Sequence, residues 1–212
     1  MMAKTSSQAP SRSRDGRSTR DSIVEAARRL MHVHGYHATS LDDVLRGSGV
    51  GKGNFYHYFR SKEDLGYAII DETVASFLQW TLEPCFADRG RPVIAQLHCF
   101  LERVCDAQRE RNCIGGCALG NFASELSDLH EGFRARLHSV FTAWQDRLTA
   151  ALRDGQERGE LSATGRPETI AQFLVASLEG AILITKVTKD IGVMELCVEE
   201  LKRYLALYER RA

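Results

Sequence analysis

Apolar residues recur every three or four positions along most of the chain, which is the spacing of amphipathic α-helices. The first such run places Ile23, Ala27, Leu30 and His34 on one face, and Gly35 is suited to end that helix in a left-handed turn. Thr39 and Ser40 each stand three positions before an aspartate, a pattern typical of the capping box that opens a helix. A short second helix is therefore expected, and the sequence GSG ends it.

The same spacing predicts further helices up to the C-terminus. A third helix would bury Val50, Phe55 and Phe59, and Ser61 would cap a long fourth helix that we expect to stop at Pro84. Later helices are expected to begin near residues 92, 117, 131, 167 and 193. Strand-like alternation and repeats of about 20–50 residues are absent. The sequence therefore predicts an all-α protein of about nine helices.

Composition and charge divide the chain into three parts. Residues 1–18 are polar, rich in Ser and Arg and aperiodic, so we expect a disordered basic arm. Residues 19–64 hold the first three predicted helices, and residues 65–212 hold the others. The net charge is zero, but the chain through Lys62 carries eleven Lys/Arg against five Asp/Glu, and the remainder carries seventeen against twenty-three. A basic front and an acidic back favour a polyanionic partner for the front alone.

The composition also narrows the class of protein. Hydrophobic residues make up 43% and charged residues 26%, which is typical of soluble globular proteins. We expect no bilayer-spanning run and no secretory signal, and so a cytoplasmic protein without a membrane partner. In that compartment the cysteines are expected to be reduced, with Cys85, Cys99, Cys105 and Cys197 as inert core sulfurs. Glycine-rich phosphate loops, HExxH motifs and nucleophile elbows are missing, so we expect neither an enzyme nor a cofactor or metal.

The third predicted helix carries side chains suited to DNA. Two helices joined by a tight glycine-containing turn form a helix-turn-helix, whose second helix enters the major groove. Its glycines would let the backbone approach base edges, and Lys52 can donate to guanine or to a phosphate. The predicted contact set is Thr39, Ser40, Gly51, Lys52, Gly53, Asn54, Tyr56, His57, Tyr58 and Lys62. The alternative is that the tyrosines are core residues and the lysines are merely solvated.

The segment TSLDDVLRGSGVGKGNFYHYFRSKEDL resembles the DNA-binding signature of the TetR/AcrR transcriptional regulators. Gly51 stands where that family often has serine or alanine, and Tyr58 where it often has histidine. The resemblance implies a repressor that reads a palindromic operator, a homodimer built on a four-helix bundle of the last two helices, and a ligand pocket in each C-terminal domain. The run AQFLVASLEGAILI independently favours dimerisation, because large and small apolar groups cover several of its faces. The alternative is a central core helix of one subunit.

A second candidate site is the stretch CIGGCALGNFASELSDLHEGFR, which begins at Cys113. Cys117 is expected at a helix N-terminus, where the dipole would favour the thiolate, and Cys113 could be a resolving thiol. This stretch resembles the NemR-type repressors of the same family, which respond to electrophiles and oxidants through one cysteine after a glycine. The resemblance implies that Cys117 is the reactive cysteine and Lys186 its cationic partner. An inert thiol and a solvated lysine stay open as alternatives.

A repressor released by a noncovalent apolar inducer is the alternative to covalent sensing. The predicted lining of its pocket is Phe77, Trp80, Phe100, Asn121, Phe122, Trp144 and Glu179. Each aromatic residue could equally belong to the core. In both cases we expect the signal to shift the helix that begins at Ser61 and so to misplace the paired third helices on DNA.

Overall fold

The computed structural model describes residues 18–210, so the basic arm expected at 1–18 lies outside the described residues except for Ser18. The described chain folds into helices α1 Thr19–His34, α2 Leu41–Ser48, α3 Lys52–Tyr58, α4 62–86, α5 Val93–Glu110, α6 Ala118–Leu126, α7 Glu131–Glu157, α8 Pro167–Thr188 and α9 Ile191–Ala206. An isolated antiparallel bridge between Leu161 and Glu209 is the one strand-type pairing in this range. The all-α prediction with about nine helices is confirmed.

Short polar side chains begin several of these helices. The Ser18 and Ser61 hydroxyls accept hydrogen bonds from backbone N–H groups in the first turns of α1 and α4. Ser40 and Asp43 form a full capping box on α2. Thr39 forms no second box, because its hydroxyl instead donates to the Gly35 carbonyl at 2.8 Å.

The first three helices enclose a small apolar core against α4. Ile23 and Val24 of α1 are fully buried, as are Val44 of α2 and Phe55 of α3. Phe59 follows α3 and packs on Phe55, with the ring centroids 5.7 Å apart. The short helix α3 is therefore packed on the core through aromatic residues on one side only.

Helix α4 is continuous through residues 62–86 but changes its winding on the way. An α-helical part, Lys62–Phe77, passes into a π-helical turn, Leu78–Leu82, and then into a last α-helical turn, Glu83–Phe86. The expected stop at Pro84 is wrong. Proline has no N–H to donate to the preceding turn, and the Trp80 carbonyl accepts hydrogen bonds from Arg103 of α5 instead.

The C-terminal helices pack around the larger part of the same hydrophobic core. Helix α8 lies between α7 and α9, and α5 packs on α7 and α9. An aromatic cluster joins this body to the first three helices: Tyr36 lies 5.4 Å from Phe133 of α7, and Tyr67 of α4 stacks on the same ring at 4.5 Å. The close approach of Phe133 requires glycine at 66, because an added Cβ would lie 2.7 Å from its ring.

Cys85 and Cys99 form a disulfide between the last turn of α4 and α5, with their Cα atoms 5.6 Å apart. The expectation that both are reduced and inert is therefore wrong. The sequence gives no sign of this pairing, because two cysteines 14 residues apart come within bonding distance only through the packing of α4 on α5.

Helix α8 is by length and composition apolar enough to cross a membrane, with a mean hydropathy of 1.6, although no such run was expected. Only 44% of the most apolar 18-residue stretch of α8 is buried inside the protomer. The helix also carries charged residues, among them Glu179 and Lys186. So much exposed apolar surface on one helix is unusual for a soluble monomer.

Candidate nucleic-acid interface and sensor site

Helix α3 presents almost all of its predicted DNA-contacting positions to solvent. Tyr56 and Tyr58 are 50% and 42% exposed, so the alternative that they are core residues is wrong. Exposed positions also include Gly51, Lys52, Gly53, Asn54 and His57. No heavy atom lies within 4 Å of a Cβ built on Gly51 or Gly53. This open face can therefore approach another molecule through its backbone as well as its side chains.

Two members of the predicted contact set need correction. Thr39 is only 2% exposed, and its hydroxyl is used within the α1–α2 turn. Lys62 is half-buried with its ammonium 4.3 Å from the centre of the Tyr36 ring, and desolvation lowers the pKa of this amine. Both side chains stabilise the domain itself. Ser40 stays exposed, although its hydroxyl donates to Asp43 at 2.6 Å.

The turn between α5 and α6 is held in an unusual backbone conformation. Asn112, Cys113, Gly115 and Gly116 all have positive φ angles. At Gly115 an added Cβ would overlap the imidazole ring of His32, so only glycine fits against α1. The glycine pair in the sequence thus serves a close approach between this turn and the first helix.

Cys117 is the N-cap of α6, as expected, and its Sγ accepts a hydrogen bond from the Gly120 N–H at 3.3 Å. The expected thiolate is not favoured, because burial and then the nearby Glu179 carboxyl raise the pKa of the Cys117 thiol above its usual range. Desolvation outweighs the helix N-terminus at this position. Cys113 is buried, so a resolving role would require the turn to open.

Glu179 of α8 lies over the first turn of α6. Its carboxyl lies near Cys117, since a Cβ added at Gly120 would approach both Glu179 Oε2 and Cys117 Sγ, and burial raises the pKa of the Glu179 carboxyl. A Cβ added at Gly120 would lie 2.7 Å from its Oε2 atom. Both residues are half-buried, and a carboxyl this near a thiol is placed to exchange a proton with it.

Lys186 does not pair with Cys117 as the resemblance implies. Its Nζ donates to Oδ1 of Asn121 at 2.9 Å, and its stem lies against Gly116. Asn121 in turn donates to the Gly115 carbonyl at 2.8 Å and to the His32 carbonyl at 3.3 Å. This network ties α8, the 111–117 turn and α1 together.

Three residues of this region were missed at the sequence level. Arg111 is exposed at the surface, but the atoms packed around its guanidinium lower its pKa by partial desolvation, and it lies close enough to Cys117 to be affected by its charge. Burial, followed by Arg111, lowers the pKa of His32 to about 4. Glu125 accepts hydrogen bonds from the backbone N–H groups of Tyr36 and His37, both at 3.0 Å. Of the three, only Arg111 could have been proposed from the sequence, because it stands two residues before Cys113 in the candidate sensor stretch.

The Glu125 contacts place α6 directly against the N-terminal domain formed by α1, α2 and α3. Both carboxylate oxygens are used, one for each backbone N–H of the α1–α2 turn. Gly35 makes this possible, since its φ is 91° and an added Cβ would lie 2.6 Å from Oε1 of Glu125. Helix α6 therefore begins next to Cys117 and, near its end, binds the α1–α2 turn through the hydrogen bonds of Glu125.

The predicted ligand pocket is divided by the fold. Phe77 stacks on Trp144 at 4.1 Å and meets Phe100 edge-on at 6.3 Å. Phe122 belongs to the Tyr36 and Phe133 cluster instead, and Asn121 and Glu179 lie at the Cys117 site. Trp80 is 62% exposed, which corrects its predicted place in an apolar lining.

Helices α8 and α9 share an exposed apolar face. The exposed large residues are Phe173, Leu183, Ile184 and Val187 on α8, and Leu196 on α9. Gly180 lies among them with no heavy atom within 4 Å of an added Cβ. A face of this kind on a soluble protomer is typical of a protein–protein contact.

Two family models match this chain. The model described as bacterial regulatory proteins of the tetR family matches residues 23–69, and that described as the tetracyclin repressor-like C-terminal domain matches residues 93–201. Together they cover well over half of the sequence, including both α3 and the Cys117 site.

Individual relatives agree with these models. The transcriptional regulator AcuR of Cereibacter sphaeroides is 34% identical over 165 residues, which are 78% of this chain and 75% of AcuR. The HTH-type transcriptional repressor NemR of Escherichia coli is 28% identical over 191 residues, 89% of this chain and 94% of NemR. The crystal structure of the reduced form of E. coli NemR matches with a TM-score of 0.79 at 27% identity, over 87% of this chain and 95% of that one.

Proposed function

Because the chain belongs to the TetR family of transcriptional regulators, we propose that it is a cytoplasmic repressor that binds a palindromic operator as a homodimer. The observation that carries the proposal is the exposed outer face of α3, which Phe55 and Phe59 hold in place from below. Regulators of this family act as dimers on DNA operators and are not enzymes. Two copies of α3 would enter successive major grooves about 34–36 Å apart.

Operator binding is tested with a duplex selected from a random library. Lys52→Ala is expected to weaken binding of that duplex roughly tenfold, because it removes an exposed donor to bases or phosphates. Arg153→Ala is the matched control, since Arg153 is an exposed cation of α7 paired with Glu168. Failure to select any palindromic sequence, or equal losses in both variants, would contradict the proposal.

For the inducer, we propose a small electrophile that adds to Cys117. Sulfur would form a bond to an activated alkene carbon while Glu179 accepts the thiol proton, and the neighbouring carbon is then protonated through the carboxyl or solvent. The position of both side chains at Gly120, on the first turn of α6, supports this step, because a neutral thiol needs a base nearby. Arg111 would stabilise negative charge on sulfur during the transfer.

This step is tested by the rate of labelling with N-ethylmaleimide and by mobility shifts of the selected duplex. Wild-type protein is expected to release DNA on labelling, whereas Cys117→Ser is not, and Cys197→Ser should behave as wild type. Glu179→Gln is expected to slow labelling roughly a hundredfold if the carboxyl acts as base. Faster labelling in that variant would mean that Glu179 only raises the pKa of the thiol, and would contradict its role as base.

Release by a noncovalent inducer is the second candidate, and the raised pKa of the Cys117 thiol favours it. Dialysis after release from DNA distinguishes the noncovalent mechanism from the covalent one. A noncovalent inducer washes out and DNA binding returns, whereas a thioether adduct persists. Recovery of binding on dialysis alone, with Cys117 unmodified in mass spectra, would replace the covalent proposal.

We further propose that α6 carries the signal to the reading domain. An adduct at Cys117 sits on the first turn of α6, and Glu125 on its last turn holds the α1–α2 turn. A shift along this one helix would loosen or displace the domain that presents α3. The route differs from the expected shift of the helix beginning at Ser61, although α4 contacts the same domain.

Glu125→Gln tests this route, since the amide keeps one acceptor oxygen and loses the other. Labelling at Cys117 should proceed at the wild-type rate but release DNA at least fivefold less effectively, because coupling of this size corresponds to about 1 kcal/mol. Glu131→Gln, an exposed acid on α7, is the control. Unchanged coupling in Glu125→Gln would show that the signal takes another path.

A further inference from the structure

We propose that Cys85 and Cys99 form a redox-active disulfide that couples oxidation to operator binding through α4, at a site separate from Cys117. The bond joins the last turn of α4 to α5. The inference rests on operator binding through α3, but not on any chemistry at Cys117. It assigns a function to the two cysteines that the sequence suggested were inert.

Helix α4 connects this bond to the reading domain. Ser61 caps its first turn immediately after α3 and Phe59, and Cys85 lies in its last turn. In its first half, α4 packs on α1, and Arg20 of α1 donates to Glu72 at 2.8 Å. Because α4 is one helix from Ser61 to its last turn, a change in how the second end is held can alter the angle at which α4 meets the domain that carries α3.

The segment between the two ends contains a place where α4 can adjust. The π-helical turn Leu78–Leu82 departs from the regular hydrogen-bond ladder, and such turns are frequent at functional sites and hinges. Pro84 adds to this by removing one backbone donor. The disulfide lies just beyond the turn, where it fixes the far end of the hinge.

Helix α5 holds both sides of this turn. Its Arg103 donates to the Trp80 carbonyl through Nε at 2.9 Å and Nη2 at 2.6 Å, and Cys99, one helical turn earlier, is bonded to Cys85. On the far side, Arg147 of α7 donates to the Phe86 carbonyl at 3.1 Å. Reduction removes the one covalent link and leaves noncovalent contacts, these hydrogen bonds and the packing of Phe86 on Phe100, which can rearrange.

The burial of the two sulfurs fits a reversible exchange. Cys85 is buried and Cys99 is half-buried, so an oxidant meets Cys99 first. A peroxide would convert the Cys99 thiol to a sulfenic acid with loss of water; the Cys85 sulfur would then attack that sulfur, form the S–S bond and release a second water. The two thiols lose two electrons in total, and the peroxide gains them. A dithiol reductant reverses the reaction by attack on the Cys99 sulfur.

The test is carried out in a Cys117→Ser background, so that the two cysteine sites do not interfere. Operator affinity is measured for peroxide-oxidised and dithiothreitol-reduced protein, with the Cys85–Cys99 bond mapped by peptide mass spectrometry. The two forms are expected to differ at least fivefold in Kd. Adding Cys99→Ser should abolish the difference, and adding Cys105→Ser, which removes a buried cysteine outside the bond, should preserve it.

Equal affinities of the oxidised and reduced forms, with the bond mapped in the first, would mean a purely structural disulfide and would overturn the inference. A difference that persists in Cys99→Ser would overturn it as well. If Cys99→Ser does not fold, operator affinity of the Cys117→Ser protein is measured in glutathione buffers of graded redox potential. The inference requires that affinity follow the fraction of protein with the Cys85–Cys99 bond, and an affinity independent of that fraction would overturn it. Lack of operator binding in both redox forms would instead contradict the proposed function.

Discussion

Burial keeps individual side chains around the 111–117 turn in their neutral forms. Neither ring nitrogen of His32 has a hydrogen-bond partner within residues 18–210, and Arg111, Arg28 and Lys186 all disfavour a proton on it. The Cys117 thiol is likewise held neutral, because burial and then the nearby Glu179 carboxyl raise its pKa. The turn thus concentrates cations around uncharged groups.

This arrangement predicts acid sensitivity of the fold. The pKa of His32 is about 4 in the folded protein against an ordinary value of 6.5 for histidine in an unstructured chain, so the unfolded state binds more protons between these values. Stability should therefore fall as the pH drops from about 7 towards 4, by about 1–2 kcal/mol after allowance for partial solvent screening. Urea denaturation at several pH values measures it; His32→Asn should flatten the dependence and exposed His37→Asn should not.

The two kinds of strain at glycines with positive φ can be separated by a matched pair of substitutions. Gly159→Ala meets no heavy atom within 4 Å, so it should cost only the left-handed backbone penalty of about 1–2 kcal/mol. Gly115→Ala has the same penalty and in addition drives a methyl group into His32, for a total of about 3–5 kcal/mol. Thermal denaturation of both variants gives the comparison. Equal losses would mean that His32 moves aside freely.

The sequence located Cys117 correctly but not its environment. A cysteine before an apolar run, preceded by two glycines, is enough to place a helix start. The pKa of its thiol depends on Glu179, which lies far along the chain and reaches Cys117 only because α8 packs over α6. Local helix-dipole reasoning therefore predicts the wrong direction where burial dominates.

The helices themselves were largely predictable because their signals are local. Serines three residues before acids mark the starts of α2 and α4, and the apolar spacing gives the lengths of α7 and α8. Pro84 failed as a stop signal because its missing hydrogen bond is offset by a guanidinium that lies on another helix. Likewise, the disulfide and the hydrogen bonds of Glu125 to the α1–α2 turn depend on tertiary packing, and a single sequence does not reveal that packing.

Arg103 should accordingly stabilise the irregular part of α4. Arg103→Ala removes both donors to the Trp80 carbonyl and is expected to lower the free energy of unfolding by about 1 kcal/mol. Arg103→Lys keeps the charge and one donor, so its loss should be smaller. Chemical denaturation under oxidising conditions, which keep the neighbouring disulfide intact, measures both. No loss in either variant would mean that water replaces the guanidinium at no cost.

The protomer has two exposed surfaces of different chemistry, one polar and basic and the other apolar. The exposed α3 lies in the basic part of the chain, whereas α8 and α9 expose apolar side chains in the acidic part. A dimer formed through the second surface leaves both copies of the first free. The mixture of large and small apolar residues on α8 predicted this surface, although the angle between the two copies of α3 depends on contacts that the sequence does not encode locally.

The dimer is tested by placing charge in the exposed apolar face. Leu183→Glu with Val187→Glu puts two carboxylates one helical turn apart on α8, and we expect a monomer that binds the operator at least tenfold more weakly. Leu129→Glu, in the turn between α6 and α7, is the control, because Leu129 is 69% exposed and lies outside the α8–α9 face. Sedimentation velocity gives the oligomeric state. A dimeric double variant would place the interface elsewhere.

One of the two tryptophans of the chain is buried and the other is exposed, so their intrinsic fluorescence can report on the conformation of the protein. Trp144 is buried against Phe77, whereas Trp80 stands in solvent on the π-helical turn. A collisional quencher such as iodide should extinguish the red-shifted emission of Trp80 and spare the blue-shifted emission of Trp144. Movements of the hinge in α4 can therefore be followed in unlabelled protein, in real time, by the quenchable fraction of its fluorescence.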